Sequence, residues 1–166
     1  MLVADRSEDD PLLLDRQVCF PLYAATNLLT RLYGPILSGL GLTYPQYLVM
    51  LVLWEEDLQT VGALGARLYL DSGTLTPLLK RMEKAGLVRR ERDQNDERRV
   101  LVSLTPAGRN LRARALQVPE VLANGYPAGE LENLRLTVSE MVTELARHRV
   151  GKLSDQALPA DKAGKA

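Results

Sequence analysis

The sequence predicts a mainly α-helical fold carrying one small β-hairpin, and three observations predict it. Apolar residues recur at spacings of three and four through most of the chain, as in helices with one buried face. Helix-opening and helix-closing residues (Thr43 with Pro45, Thr60, Asp71 or Ser72, Gly86, Thr105-Pro106) divide those stretches into short segments. Between Gly86 and Thr105 the period shortens to an apolar–polar alternation on either side of a polar, turn-forming stretch, the pattern of two paired strands.

The elements follow in order. Residues 1–11 are polar and predicted to be mobile. From Val18 to Leu37 a first helix is marked by Leu22, Ala25, Leu29, Leu32, Tyr33 and Ile36 on one face. Gly34 and Pro35 are expected to fray its end, and Gly39 and Gly41 to close it. Thr43 caps a second helix with Pro45 in its first turn; Tyr47 through Trp54 are too apolar for a surface element, and Glu55, Glu56 and Asp57 mark its exit. Thr60 caps a short helix over 61–68. Asp71 or Ser72 caps another, running to about Ala85, with Leu75, Leu78, Leu79 and Met82 inward and Gly86 just past its end. Three such helices joined by short connections make a helix-turn-helix cluster. Residues 87–92 and 98–104 follow as the two strands of a wing, joined through Asp93-Gln94-Asn95-Asp96-Glu97. Thr105-Pro106 opens a long helix expected to reach about Asn124. A last helix carries Leu131, Leu134, Val138, Met141 and Leu145, a coiled-coil-like seam. Residues 150–166 are predicted to be a disordered tail.

Composition narrows the function. The 166 residues suffice for one domain with a real core, and 46% apolar with 25% charged residues is ordinary for a folded protein. The N-terminal residues lack a basic region followed by an apolar run, so no signal peptide is expected, and no apolar stretch approaches a membrane span. One cysteine excludes an internal disulfide and suits a reducing cytoplasm; one His and one Cys are too few for a zinc site. Neither metal nor cofactor is expected.

The net charge is zero, yet its distribution is uneven. Lys80, Arg81, Lys84, Arg89, Arg90 and Arg92 face only Glu83 and Glu91 in that stretch, and Arg98 and Arg99 add to the second strand. The helix opened by Asp71 offers Ser72, Thr74 and Thr76 on its polar face, then Lys80 and Arg81. Small residues let a helix N-terminus approach base edges, and hydroxyls and cations bond bases or phosphate. Any one of these charges could be an ordinary solvated residue. Their concentration on a helix followed by a hairpin is the footprint of double-stranded DNA binding.

Cys19 precedes Phe20-Pro21. Proline is tolerated in a first helical turn but not further in, so Pro21 fixes a helix start close to the sulfur. There the helix dipole favours thiolate, which hydroperoxides oxidise to sulfenic acid. A lone cysteine is more commonly a small buried hydrophobe, and position alone does not decide for reactivity.

The stretch Leu70-Asp-Ser-Gly-Thr-Leu-Thr-Pro-Leu-Leu-Lys-Arg-Met-Glu, with Arg92-Asp93, Asp96, Arg98 and Leu104-Thr105, resembles the MarR family of transcription regulators from about Leu12 to His148. The segment Gln17-Val-Cys-Phe-Pro-Leu-Tyr-Ala-Ala-Thr-Asn, together with Leu42-Thr-Tyr-Pro-Gln-Tyr, resembles the organic hydroperoxide regulator (OhrR) branch of that family. The resemblance implies a bacterial repressor with a winged helix-turn-helix domain over 12–149. Its DNA-binding lobe would span about 43–104, with homodimerisation helices at about 12–38 and 106–149. It implies an inverted-repeat operator, a wing tip placing Arg98 in the minor groove, and release on oxidation of Cys19. Tyr33 and Tyr44 of the partner subunit would hydrogen-bond the sulfur. Residues 122–127 lack the second cysteine of some members, which implies capping of the oxidised sulfur by a low-molecular-weight thiol. Asp71 is expected to pair with Arg98 and brace the wing. Two other readings stay open: a repressor tuned by a non-covalent phenolic ligand, and a thiol peroxidase using Arg16 beside the cysteine, which would leave the basic hairpin unexplained.

Overall fold

Helix α1 (Cys19–Gly39) follows a short 3-10 turn, Leu14–Arg16, after two intervening residues. The structure, a computed structural model, describes residues 10–125, 127 and 129–147; the predicted mobile N-terminus lies almost wholly outside them, and the predicted tail entirely so. Pro21 occupies the first turn of α1, where its missing N–H has no partner to lose. Pro35 does not fray the helix, which continues to Gly39. The carbonyl of Arg31 loses its helical donor, but Arg31 is exposed and water can serve it. Tyr33 and Leu37, buried on either side, anchor the turn. Gly41, at φ +69°, then turns the chain.

Helix α2 (Tyr44–Glu55) opens with a capping box in which the Thr43 N–H donates to Gln46 Oε1 at 2.8 Å. Strand β1 (Gln59–Thr60) leads directly into α3 (Val61–Leu68), where the Thr60 hydroxyl accepts from the Ala63 N–H. Helix α4 (Ser72–Lys84) is capped by Asp71 and ends before Gly86, whose φ of +73° suits the left-handed residue beyond a helix. Leu64, Leu75, Leu79, Met82 and Val102 are wholly buried between α3, α4 and the sheet, and Val49 and Met50 are equally buried on α2.

The wing is broader than the hairpin the sequence predicts. Strands β2 (Val88–Arg92) and β3 (Val100–Leu104) pair antiparallel with Arg90 opposite Val102, and β1 adds a third strand on the far edge of β3, Gln59 opposite Val102. Two residues are too few for periodicity to betray a strand. The tip is organised by Asp93 and Asp96, which accept from the amides of Asn95 and Arg98.

The long helix expected after Thr105 is interrupted. Helix α5 (Pro106–Ala115) stops, turns occupy 116–119, and α6 (Glu120–Ala123) is a single turn. Pro119 lacks an N–H for the helical ladder and disfavours helical geometry at Val118. Gly108 of α5 lies so close to β2 that an added Cβ would stand 2.1 Å from the Leu87 carbonyl oxygen, so only glycine fits. The Trp54 indole N–H donates to the Gly108 carbonyl at 2.9 Å, tying α2 to α5.

The chain divides after Val121 into two compact units. The second contains α7 (Glu130–Arg147), the predicted seam helix, none of whose residues is buried. Among the described residues no single helix is long and apolar enough to cross a membrane.

Candidate nucleic-acid interface and thiol site

On α4, Ser72, Thr74, Lys80 and Arg81 are exposed and Thr76 is half-buried. Asp71 holds the first turn: Oδ1 accepts from the Thr74 N–H at 2.9 Å and Oδ2 from the Thr74 hydroxyl at 2.8 Å. These bonds from Thr74 favour the carboxylate and lower its pKa below the ordinary value. The expected Asp71–Arg98 brace is not formed among the described residues, where Asp71 caps the helix start. With its proton directed to Asp71, the Thr74 oxygen presents lone pairs outward.

The cations fall into two groups. Arg90 donates through its backbone N–H and Nε to the two Glu83 oxygens, at 3.0 and 3.1 Å, locking β2 to α4. Arg99 Nε donates to Asp96 Oδ2 at 3.1 Å, and Arg89 pairs with Glu91. Lys80, Arg81, Lys84, Arg92 and Arg98 have no ion pair among the described residues. Thr76, Arg90, Arg98 and Arg99 come together with Thr60, Val61 and Gly62 around a groove of about 400 Å³. The start of α3 and Arg98 thus line one groove. Sequence reading missed the Glu83–Arg90 lock, because the partners stand across a turn and no spacing rule joins them.

Cys19 is the first residue of α1 and is exposed. Tyr33 lies fourteen residues further along the same helix. At 1.5 Å per residue that is about 21 Å of axis, so one chain cannot bring this sulfur onto its own Tyr33. Tyr33 meets Tyr44 with ring centroids 5.4 Å apart and Tyr47 at 6.4 Å, and Tyr47 meets Trp54 edge-on at 6.4 Å. Burial raises the pKa of all three phenols; the neighbouring Tyr44 phenol adds to the rise at Tyr33 and Tyr47, and Tyr47 adds to that at Tyr33. They therefore remain neutral donors at physiological pH. Among the described residues no group hydrogen-bonds to their hydroxyls. Tyr47 was not singled out from the sequence, although its position one helical turn after Tyr44 was the available signal.

Beyond Tyr47 an apolar cavity of about 210 Å³ opens between α2 and α5, lined by Leu51, Trp54, Arg112 and Leu116 among others.

A family model described as transcriptional regulator SarA/Rot matches residues 31–114. The organic hydroperoxide resistance transcriptional regulator of Bacillus subtilis is 46% identical over 136 residues, 82% of this chain and 92% of that protein. The chain is a MarR-family transcriptional regulator of the organic hydroperoxide regulator branch. With Cys19 alone, this regulator is of the one-cysteine type. Its structure also resembles that of AbfR of Staphylococcus epidermidis. Reduced AbfR bound to DNA shares 38% identity at a TM-score of 0.66, over 80% of this chain and 93% of that one. A disulfide-formed AbfR shares 40% at 0.56, over 78% and 92%.

Proposed function

We propose that this regulator is a cytoplasmic repressor that binds an inverted-repeat operator as a homodimer and releases it when an organic hydroperoxide oxidises Cys19. The observation that carries this reading is the separation of an exposed sulfur from a cluster of neutral, unoccupied phenol donors on the same chain. A twofold-related copy resolves it: the sulfur of one subunit meets Tyr33 and Tyr44 of the partner subunit. The apolar side chains left exposed at Val18 just before α1, on α1 (Tyr23, Leu28 and Leu32) and on α7 (Leu134, Val138 and Leu145) supply surface for such a pairing.

In the reduced dimer two α4 helices stand about one DNA turn, roughly 34 Å, apart and enter successive major grooves. Ser72, Thr74 and Thr76 approach base edges, Lys80, Arg81 and Arg92 neutralise phosphates, and Arg98 at the wing reaches the minor groove with Arg99 beside it.

For the switch, the Cys19 thiolate attacks the terminal peroxide oxygen. An S–O bond forms as the O–O bond breaks; sulfur loses two electrons, and the peroxide leaves as an alcohol after taking up a proton. A low-molecular-weight thiol then condenses with the sulfenic acid, forming a mixed disulfide and releasing water. Phenols that donated to a thiolate now face a bulky group, and the helices carrying them must shift. The relatives support this reading by their names alone: a hydroperoxide resistance regulator, and AbfR in reduced, DNA-bound and disulfide forms.

Gel shifts with reduced wild type and Cys19→Ser, with and without an organic hydroperoxide, test it. The wild-type complex should dissociate and the variant complex should persist. A serine variant that still responds to peroxide would remove Cys19 from the mechanism. A second reading, release by a phenolic ligand, is favoured by the cavity lined by Trp54 and Arg112; it predicts dissociation by ligand that is the same with cysteine or serine at position 19.

A further inference from the structure

We propose that the Asp57 carboxylate is a positioning residue for DNA binding, because it fixes the wing to α5. Strand β1 covers β3 only at Leu101 and Val102 and leaves the end of β3 without a strand neighbour on that side. Asp57 takes the missing place: its Oδ1 accepts from the Leu104 N–H at 2.8 Å, as a third-strand carbonyl would, and from the Leu58 N–H at 2.9 Å. Its Oδ2 accepts from the Arg109 guanidinium on α5. One half-buried carboxylate thus ties together the exit of α2, the base of the wing and the first turns of α5. Charge-assisted bonds of this kind are shorter and stronger than neutral ones. Leu58 sits at φ +65° while its side chain is 59% exposed. A non-glycine residue in left-handed geometry, largely exposed, marks a corner held in place by its neighbours.

A fixed corner at the base of β3 matters at the other end of the strand. The wing tip carries Arg98, whose side chain is free to reach DNA, and a small rotation at Leu104 displaces that guanidinium by much more. Loss of the carboxylate should leave the recognition helix intact, since α4 is capped by Asp71 and locked to β2 through Glu83 and Arg90. The inference rests on the proposed contact of Arg98 with DNA.

The experiment is a double-mutant cycle on operator binding by full-length reduced protein, combining Asp57→Ala with Arg98→Ala, alongside hydrogen exchange of the free proteins. Asp57→Ala should weaken operator binding at least tenfold, and the double variant should bind no more than twofold more weakly than Arg98→Ala alone. Asp57→Asn, which keeps an acceptor for Leu104 but loses the charge facing Arg109, should fall between Asp57→Ala and wild type, and it replaces the alanine variant if that fails to fold. Amides of β3 should exchange faster in the Asp57 variant while those of α4 keep wild-type protection. Losses that simply multiply in the double variant would overturn the positioning role, as would unchanged exchange in β3. Wild-type affinity in Arg98→Ala would instead count against the DNA contact, and the exchange of β3 alone then decides whether Asp57 holds the wing.

Discussion

The lobe from Thr43 to Thr105 closes on itself, whereas α1 and α7 do not. In the lobe every helix begins on a named cap, the sheet gains a third strand from β1, and eleven side chains among the described residues, most of them in this lobe, are almost wholly buried. On α1 only Tyr33 and Leu37 are buried, and on α7 nothing is. A helix with an apolar seam and no buried residue is incomplete by itself. The contrast separates what one chain can stabilise from what a second copy would have to supply.

The largest expected effect comes from setting the two regions directly against each other. Leu79→Ala, at a site with no exposure, should cost about 3 kcal/mol in unfolding free energy, because the transfer term and the remaining cavity add. Leu134→Asp on α7 should do something different: circular dichroism should remain that of a folded protein, while sedimentation shows self-association weakened at least tenfold. Equal self-association of this variant and wild type would break the contrast, since α7 would then have no apolar partner to lose.

A smaller effect divides the lobe's own cations. Arg98 is unpaired, while Arg90 is only one-fifth exposed and is held by Glu83. If Arg98 enters the minor groove as proposed, its charge offsets the flanking phosphates, and Arg98→Ala should lower the slope of log affinity against log salt by about 0.9. Arg90→Ala should reduce affinity through a loosened β2–α4 junction and leave the slope nearly unchanged. Two identical slope changes would show that the intramolecular pairing of Arg90 does not survive in the complex.

Much of the lobe was legible because local chemistry decides it. Thr60, Asp71 and Thr105 cap where the sequence places caps, Gly86 adopts the geometry a helix end asks of it, and Leu75, Leu78, Leu79 and Met82 bury together. What escaped depends on contacts distant in sequence. Strand β1 exists only because β3 offers a free edge, and the Asp57 carboxylate, forty-seven residues before Leu104, carries no local signature. Pro35 and Pro119 show the same rule from two sides. Each removes one N–H, yet α1 continues through the first while the chain turns at the second, and local sequence alone does not say which. The candidate site divides likewise. The cysteine's place at a helix start followed from Pro21, but the third phenol, Tyr47, became visible only through the packing of rings on different helices.

The smallest effect lies where the two regions meet, in the phenols of α1 and α2. Burial raises the pKa of Tyr33, Tyr44 and Tyr47 above 10.0, and the Tyr44 phenol contributes to the rise at the other two. A folded-state pKa above the unfolded one adds stability that is fully present below about pH 10 and is lost as the pH climbs through the raised value. Stability should therefore fall on the alkaline side as the unfolded chain ionises before the folded one. Tyr44→Phe removes one late-titrating phenol and a source of repulsion, so Tyr33 and Tyr47 should ionise at lower pH than in wild type, read from phenolate absorbance, and the alkaline fall should become shallower. Unchanged titration of the remaining pair would mean that the rings touch without their hydroxyls sharing a field. A sulfur arriving from a partner subunit would then meet separate donors, not a coupled group.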